Sequence, residues 1–313
     1  AQLQPLACRS LRAVGRPVAD ARPEWALNPG SGDIGDDGSF VADLPGTYRV
    51  MAIFAGLTAE AAVTVSARDV RRPTTLIGRL PIKGASAEFW LHPDGKHGYL
   101  TTIGDRIYAI DLSDPARPVV TDSVVVDART INDLMTTEDG KYGVLTREGA
   151  SNRKNGIVVL SFEDAAHPKQ IAEFTETVTG GVHSTFIYQG YVYLTDDATG
   201  SMRVIDIRDP YKPRQVARWE TARAPAGRTL HDIDVKGGLA YLSYWNDGLV
   251  ILDVGNGMKG GSPEHPVLVS QLTYDLNALY RDVEAVGGPG FIRGTHTAWR
   301  AGKYVFVGDE VFS

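Results

Sequence analysis

A repeated segment limits the folds open to this chain more than any other feature of its sequence. Each copy has a short apolar stretch that ends in a polar residue, and a proline-containing loop follows it. The copies lie at 110–118, 160–168, 205–213 and 252–266. Asp111, Ser161, Asp206 and Asp253 occupy the same place in successive copies, at separations of 50, 45 and 47 residues. Tandem units of this length, with four short strands each, are typical of β-propeller blades.

Each unit has the same order of strands and turns. A first strand leads into a glycine turn, a second strand follows, and a third ends at the repeated polar residue. A fourth strand follows the proline loop. The glycine turns are Asp94–Lys96, Asp139–Lys141, Gln189–Gly190 and Lys236–Gly238. Glycine supplies the positive φ that tight hairpins need. Short alternating strands dominate and helical periodicity is nearly absent, so the sequence predicts an all-β fold.

The third-strand motif resembles a known bacterial repeat. The segment at 205–213, with its Ile-Asp-Ile-Arg-Asp-Pro core, is similar to the LVIVD repeat. The resemblance extends over roughly 72–313. It implies a β-propeller in a bacterial protein located outside the cytoplasm, whether periplasmic, secreted or anchored at the cell surface.

The predicted strands do not add up to a whole number of blades. Four full units are followed by a fifth at 295–313 that has room for only two strands. The segment at 73–80 matches the fourth strands and is predicted to be the outermost strand of the last blade. Closed propellers have about four to eight complete blades. The count of about four and a half blades therefore predicts a propeller that is truncated at its C-terminus, and the alternative is a ring that stays open.

The first 68 residues differ from the repeats. Trp25, Phe40 and Tyr48 lie in short alternating segments around a loop rich in glycine and aspartate at 30–38. The pattern resembles bacterial Ig-like domains. The sequence therefore predicts an Ig-like β-sandwich at 1–68 and a propeller at 72–313, joined by a charged linker.

Composition and motif content exclude several classes of protein. A net charge of -6 without a basic stripe argues against a nucleic-acid partner. No apolar run reaches the length of about 18 residues that a transmembrane helix needs, so no transmembrane segment is predicted. The single cysteine, Cys8, excludes internal disulfides and thiolate zinc clusters. Phosphate-loop, zinc-protease and nucleophile-elbow motifs are absent.

Three of the seven histidines begin the first strands of consecutive units. His183, His231 and His296 align with one another, and the two earlier units have Ala87 and Asn132 in their place. The first strand of a blade is the innermost, so the three imidazoles are expected at one height near the propeller axis. Converging imidazoles are suitable ligands for zinc, copper or iron. The sequence therefore predicts a transition-metal site.

Neighbouring acidic residues extend this hypothesis. Asp232, Glu88 and Asp133 are predicted to support the metal ligands through hydrogen bonds. Acidic segments follow the second strands, at 196–197, 246–247 and 309–310. They are candidates for binding calcium or a cationic substrate at a rim, although turns also favour aspartate. Two other readings of the histidines stay open: they lock neighbouring blades together, or they line a polar channel. The remaining four histidines lie in turns or loops and are predicted at the surface.

Other polar and aromatic side chains near the histidine strands are candidates for ligand contacts. Arg228, Arg293 and Arg300 are predicted to hold an anionic ligand. Trp299 is a candidate for a carbohydrate or aromatic pocket. Solvated arginine and inter-blade packing of tryptophan are the competing interpretations.

Two functions from different classes follow from these observations. The first is a binding or scaffold protein outside the cytoplasm, whose propeller face engages a protein, glycan or small-molecule ligand. Loops on a rigid framework and the lack of a complete catalytic motif favour it. The alternative is a metalloenzyme, an oxidoreductase or hydrolase, with a histidine-lined metal centre on the propeller axis.

Overall fold

The computed structural model describes the chain as two compact units, Ala1–Thr75 and Leu76–Ser313. The described residues are 4–5, 17–18, 21–30, 32–42, 44–67, 71–222, 229–276, 278–279 and 292–312. Strands account for nearly all of their regular structure, which confirms the all-β prediction. Within these residues, no helix has both the length and the apolar character needed to cross a membrane.

The first unit contains two three-stranded antiparallel sheets. One sheet has the order β1-β4-β3 and consists of β1 (Gln4–Pro5), β3 (Gly32–Ile34) and β4 (Ser39–Ala42). The other has the order β2-β5-β6 and consists of β2 (Glu24–Asn28), β5 (Gly46–Phe54) and β6 (Leu57–Val65). Phe40 and Ala42 of the first sheet pack against Tyr48 and Val50 of the second, and Trp25 is half-buried beside them. Alternate residues of each strand thus meet in one core.

The second unit is a series of antiparallel sheets in simple up-and-down order, here called blades 1 to 5. Blade 1 holds β7 (Ser86–Leu91), β8 (His97–Thr102), β9 (Arg106–Asp111) and β10 (Val119–Val125). Blade 2 holds β11 (Leu134–Thr136), β12 (Tyr142–Arg147), β13 (Gly156–Ser161) and β14 (Lys169–Phe174). Blade 3 holds β15 (Thr185–Tyr188), β16 (Tyr191–Asp196), β17 (Ser201–Asp206) and β18 (Arg214–Trp219). Blade 4 holds β19 (Leu230–Lys236), β20 (Leu239–Tyr244), β21 (Gly248–Asp253) and β22 (Val267–Leu272), and blade 5 holds β23 (Ile292–Ala301) and β24 (Tyr304–Phe312).

The repeated turns and polar residues have clear local roles. Gly95 and Gly140, in the first turns of blades 1 and 2, have φ of 69° and 71°, a conformation that favours glycine. The repeated aspartates shape the loops after the third strands. Asp111 accepts a hydrogen bond of 2.8 Å from the backbone N–H of Ser113, and Asp206 accepts one of 3.0 Å from that of Arg208. Such side-chain to backbone bonds stabilise turns.

Apolar side chains fill the spaces between successive blades. Tyr99 and Ile107 of blade 1 share a cluster with Leu145 and Leu160 of blade 2. Every residue of β16 and β17 is buried, because neighbouring blades cover both faces of the sheet. The first strands β7, β11, β15, β19 and β23 contact one another in chain order. The starts of these strands are therefore brought together.

The segment at 73–80 was predicted to be an outermost strand, and this prediction is wrong. The structure assigns no strand between residues 71 and 85, and Leu76 and Ile77 are largely exposed. An outermost strand needs a third strand as its partner, and the described part of blade 5 has only β23 and β24.

Candidate metal centre

Local irregularities of the backbone set the positions of the three predicted histidines. His231 lies at a bulge in β19, and His296 lies at the equivalent bulge in β23. His183 lies just before β15, where its backbone N–H donates a hydrogen bond of 3.1 Å to Oγ1 of Thr195. Bulges re-aim side chains and are common beside functional sites. At both bulges the histidine has no directly paired residue on the neighbouring strand, so His231 and His296 leave the regular strand pairing in the same way.

The three imidazole rings lie side by side, with His231 in the middle. The ring centroids of His183 and His231 are 4.6 Å apart, and those of His231 and His296 are 4.1 Å apart. Oε2 of Glu310 lies 3.7 Å from Nε2 of His231 and 3.5 Å from Nε2 of His296. Ligand atoms on a common tetrahedral ion, each bonded at 2.0–2.1 Å, lie about 3.3 Å apart. The distances from Glu310 to His231 and His296 are therefore close to those between ligand atoms of a metal site.

The triad of His231, His296 and Glu310 has the composition and exposure of an open metal centre. One ligand atom from each lies within 4.8 Å of the other two. The side chain of His231 is 16% exposed, and those of His296 and Glu310 are 38% and 28% exposed. A partly exposed set of three protein ligands leaves a position for water or substrate, as catalytic metal sites do.

His183 lies beside the triad and is fixed by a carboxylate. Its Nδ1 is 3.1 Å from Oε1 of Glu148, so Nε2 is left for another partner. Burial opposes protonation of His183, but the hydrogen bond and charge of Glu148, with the charge of Asp197, outweigh it and raise the pKa. A carboxylate on one ring nitrogen commonly orients the other nitrogen toward a metal.

The electrostatic environment keeps the middle imidazole neutral. Burial, together with the positive charges that His183 and His296 can carry, lowers the pKa of His231 to about 3. Its buried Nδ1 has no hydrogen-bond partner in the part of the chain that the structure describes. Metals bind the neutral form of imidazole. Close by, burial and the charge of Glu148 raise the pKa of Asp197 to about 7.

The three acidic residues predicted to support the histidines have other partners. Asp232 accepts hydrogen bonds from Oγ of Ser184 at 2.6 Å and from Oγ1 of Thr297 at 2.8 Å. Asp133 accepts one from the backbone of Thr185, and Glu88 accepts one from Asn132. The carboxylate that bonds a histidine ring of the centre, as far as the structure describes it, is Glu148.

Sequence reasoning did not assign Glu148 to the site, and it placed Glu310 only in a candidate rim site for cations. The repeat contained a signal for both. The second strands β8, β12, β16, β20 and β24 share one position, the seventh residue counted from the start of the strand. This residue is Ile103, Glu148, Asp197, Trp245 and Glu310 in blades 1 to 5. Antiparallel pairing places this position beside the start of the first strand, where the histidines lie.

The predicted anion-binding and aromatic residues are not part of this cluster. Arg228 lies outside the described residues, and Arg293 lies in β23 with its side chain outside them. Nε of Arg300 donates a hydrogen bond of 3.1 Å to the carbonyl of Gly302. Trp299 is 59% exposed, with Nζ of Lys236 5.7 Å from its ring centroid.

One of the four histidines predicted at the surface is buried. His92 is 8% exposed, and its Nε2 is 2.9 Å from the carbonyl oxygen of Gly140 in the next blade. Its ring also meets Tyr99 and Phe162. His92 therefore links blades 1 and 2. Such a link between neighbouring blades was one interpretation of His183, His231 and His296 in the sequence.

Glu148→Gln is expected to weaken zinc binding by about 10- to 100-fold, because the amide no longer provides the charged acceptor that orients His183. The measurement is isothermal titration of the wild type and the variant with ZnCl₂. Glu138→Gln, in an exposed turn of the same blade, is the control. Equal affinities for all three proteins would show that Glu148 does not position a ligand.

Comparison with known proteins finds a match to one sequence repeat. The family model of the LVIVD repeat matches residues 227–273, which contain all four strands of blade 4. None of the curated proteins compared with the chain matches it. With this repeat and its series of antiparallel blades, the chain is a β-propeller protein.

Several solved structures are similar to the chain at low identity. The periplasmic gluconolactonase PpgL of Pseudomonas aeruginosa is 15% identical over 82% of this chain and 70% of its own, with a TM-score of 0.48. A putative 6-phosphogluconolactonase of Bacteroides uniformis is 15% identical over 81% and 70%, with a TM-score of 0.47. The Cps50 (Swd1) β-propeller domain of Myceliophteria thermophila is 13% identical over 55% of each chain, with a TM-score of 0.42. The chain thus spans about half the length of this last structure.

Proposed function

We propose that this β-propeller protein is a metalloenzyme that binds a divalent transition-metal ion through His231, His296 and Glu310, with the imidazole of His183 turned toward the ion beside them. The observation that carries the proposal is the convergence of two imidazoles and one carboxylate within 4.8 Å of one another. The residues come from two blades, and bulges present both histidines.

The donor set indicates the chemistry that such a centre supports. Two histidines and one carboxylate with an open position are the ligands of catalytic zinc sites and of non-haem iron oxygenases. A bound ion of this kind lowers the pKa of water or polarises a substrate oxygen. Asp197 and Glu148 lie around His183 and offer carboxylates for proton transfer. The proposed reaction class is therefore metal-assisted hydrolysis or oxidation.

Titration of the purified wild-type protein with Zn²⁺, Cu²⁺ and Fe²⁺ tests the proposal. One equivalent of at least one ion is expected to bind. At a free-ion concentration of 100 times Kd, binding should stabilise the folded protein by about 2.7 kcal/mol, seen as a rise in Tm. Elemental analysis after gel filtration gives the stoichiometry. A protein that retains none of the three ions, and whose Tm none of them shifts, would contradict the proposal.

A second candidate function, the binding of a glycan, protein or small ligand on the propeller surface, is favoured by an exposed aromatic face. Trp299 and Phe306 are direct partners across β23 and β24, and Tyr304 lies two residues from Phe306 on the same face. The three side chains are 44–62% exposed. Aromatic rings on a rigid hairpin are suitable for stacking on sugars or apolar groups. A glycan array probed with the wild type and with Trp299→Ala tests this role.

We also propose an Ig-like sandwich at 1–68, a propeller at 72–313 and a bacterial location outside the cytoplasm. The two packed three-stranded sheets support the sandwich. The hydroxyl of Tyr48 donates a hydrogen bond of 2.7 Å to the carbonyl of Leu44, as the corner tyrosine of Ig folds does. The match to the LVIVD repeat supports the location. Fractionation of cells that express the protein from its own gene tests it.

A further inference from the structure

The indole of Trp245 lies beside the histidine centre without belonging to the proposed ligand set. Its ring centroid is 5.5 Å from that of His231, with 39° between the two ring planes. Aromatic rings at centroid distances of about 4.5–7 Å attract one another in offset or tilted arrangements. Among the described residues, three rings contact the imidazole of His231, and Trp245 is the one that is not a histidine.

Hydrogen bonds of the backbone hold Trp245 in this place. Its N–H donates a bond of 2.8 Å to the carbonyl oxygen of Thr229, and its carbonyl oxygen accepts one of 3.0 Å from the N–H of Thr295. Thr229 comes two residues before His231, and Thr295 comes directly before His296. The main chain at Trp245 is therefore bonded to both of the segments that carry the proposed histidine ligands.

A glycine in the next blade makes room for the indole. Gly294 is buried in β23, and a Cβ atom at this position would lie 2.1–2.3 Å from three ring atoms of Trp245. Carbon atoms in favourable contact are about 3.5–4.0 Å apart, so any side chain at 294 would displace the indole. Gly294 is also the direct partner of Glu310 across the hairpin, and such partners share one face of the sheet. The indole therefore packs on the face of blade 5 that presents Glu310.

The imidazoles of His183 and His231 are restrained in different ways. Nδ1 of His183 is 3.1 Å from Oε1 of Glu148, a contact of the kind that commonly orients metal-binding imidazoles. The buried Nδ1 of His231 has no hydrogen-bond partner in the part of the chain that the structure describes. Blades 2, 3 and 5 have a carboxylate at the seventh position of the second strand, where blade 4 has Trp245. In blade 4, ring packing thus stands where the other blades offer a carboxylate.

We infer that Trp245 is a positioning residue that fixes the imidazole of His231 by packing against it, and that Gly294 provides the space for the indole. The consequence for metal binding rests on the proposed function. Packing keeps Nε2 of His231 within 3.7 Å of Oε2 of Glu310 before an ion binds. A ring that was free to rotate would have to be ordered on binding, and this cost would lower the affinity.

Isothermal titration with ZnCl₂ tests the effect on metal binding. Trp245→Ala is expected to bind Zn²⁺ about 10- to 100-fold more weakly than the wild type, the loss typical of removing a group that orients a ligand. Trp245→Phe should recover most of the affinity, because a phenyl ring can also pack on His231. Tyr211→Ala, on an exposed loop of blade 3, is the control and should match the wild type. Wild-type affinity in Trp245→Ala, or a Trp245→Phe variant as weak as Trp245→Ala, would overturn the inference.

Gly294→Ala tests the same contact from the side of blade 5. In the wild-type background the added methyl group should displace the indole and weaken zinc binding. In the Trp245→Ala background the methyl group meets no indole, so Gly294→Ala should cause no further loss. Circular dichroism confirms that the variants are folded. Equal losses in the two backgrounds would show that Gly294 does not act through Trp245.

NMR relaxation of isotope-labelled histidine rings in the metal-free protein separates this inference from the proposed function. The signal of His231 is identified by its loss in His231→Ala. Trp245→Ala should lower the order parameter of the His231 ring, while that of His183, which Glu148 holds, should stay unchanged. If the wild type binds no metal, the proposed function fails while the relaxation data still test the positioning. An equally ordered His231 ring in the wild type and in Trp245→Ala would overturn the inference.

Discussion

Replacing His231 with alanine is expected to lower the affinity of the protein for Zn²⁺ at least about 100-fold, a larger loss than removing an orienting carboxylate gives. His231 is the middle ring of the three, with His183 on one side and His296 on the other. Its Nε2 also faces Glu310. The substitution therefore removes the one proposed ligand that lies next to His183, His296 and Glu310 alike. Isothermal titration with ZnCl₂ measures the effect.

His265→Ala is the matched control for this variant. His265 lies on an exposed loop of blade 4, away from the first strands, and its imidazole is not a member of the cluster. The control should bind Zn²⁺ as the wild type does. If His231→Ala and His265→Ala retain equal affinity, the histidine cluster is not where the ion binds. Circular dichroism of both variants confirms that they are folded.

Leu160→Ala is expected to destabilise the second unit by about 2–5 kcal/mol, the cost of a cavity in a close-packed core. Leu160 is fully buried in the cluster that joins blades 1 and 2, where it packs with Tyr99 and Leu145. Its loss leaves a void in the apolar cluster between the two sheets. Urea denaturation followed by circular dichroism measures the change.

Leu268→Ala provides the comparison for Leu160→Ala. Leu268 lies in the outer strand β22 of blade 4 and is 46% exposed, so its truncation should change the stability by less than about 0.5 kcal/mol. Equal losses for the two variants would mean that the interface between the blades is not the source of stability.

Much of the blade structure could be predicted from the sequence, because each unit contains its own local signals. Glycine turns such as Gly95 and Gly140 set the hairpins, and aspartates such as Asp206 set the loops after the third strands. The segment at 73–80 shows where this reasoning failed. It resembles a fourth strand in composition, but a strand forms only where a partner edge is available, and composition does not report the partner.

The histidines of the site could also be predicted, since alignment of the units placed them at one position. The carboxylates are harder to assign, because Glu148 and Glu310 are separated in sequence from the histidines that they meet, and the repeat position that they share does not by itself show which side chains it faces. Strand register decides these contacts. The pairing of Thr295 with Asp309 brings Glu310 beside His296, and a shift of one residue would turn Glu310 to the other face of the sheet. The bulges at His231 and His296 are likewise a property of pairing.

A crystal structure of the Zn²⁺-loaded wild-type protein, with anomalous scattering recorded at the zinc edge, tests the central claim most directly. The account predicts one strong peak bonded to Nε2 of His231, Nε2 of His296 and a carboxylate oxygen of Glu310, at about 2.0–2.2 Å. It also predicts Nε2 of His183 turned toward the ion by Glu148. A fully loaded crystal with its peak elsewhere, or with none between these side chains, would contradict the account.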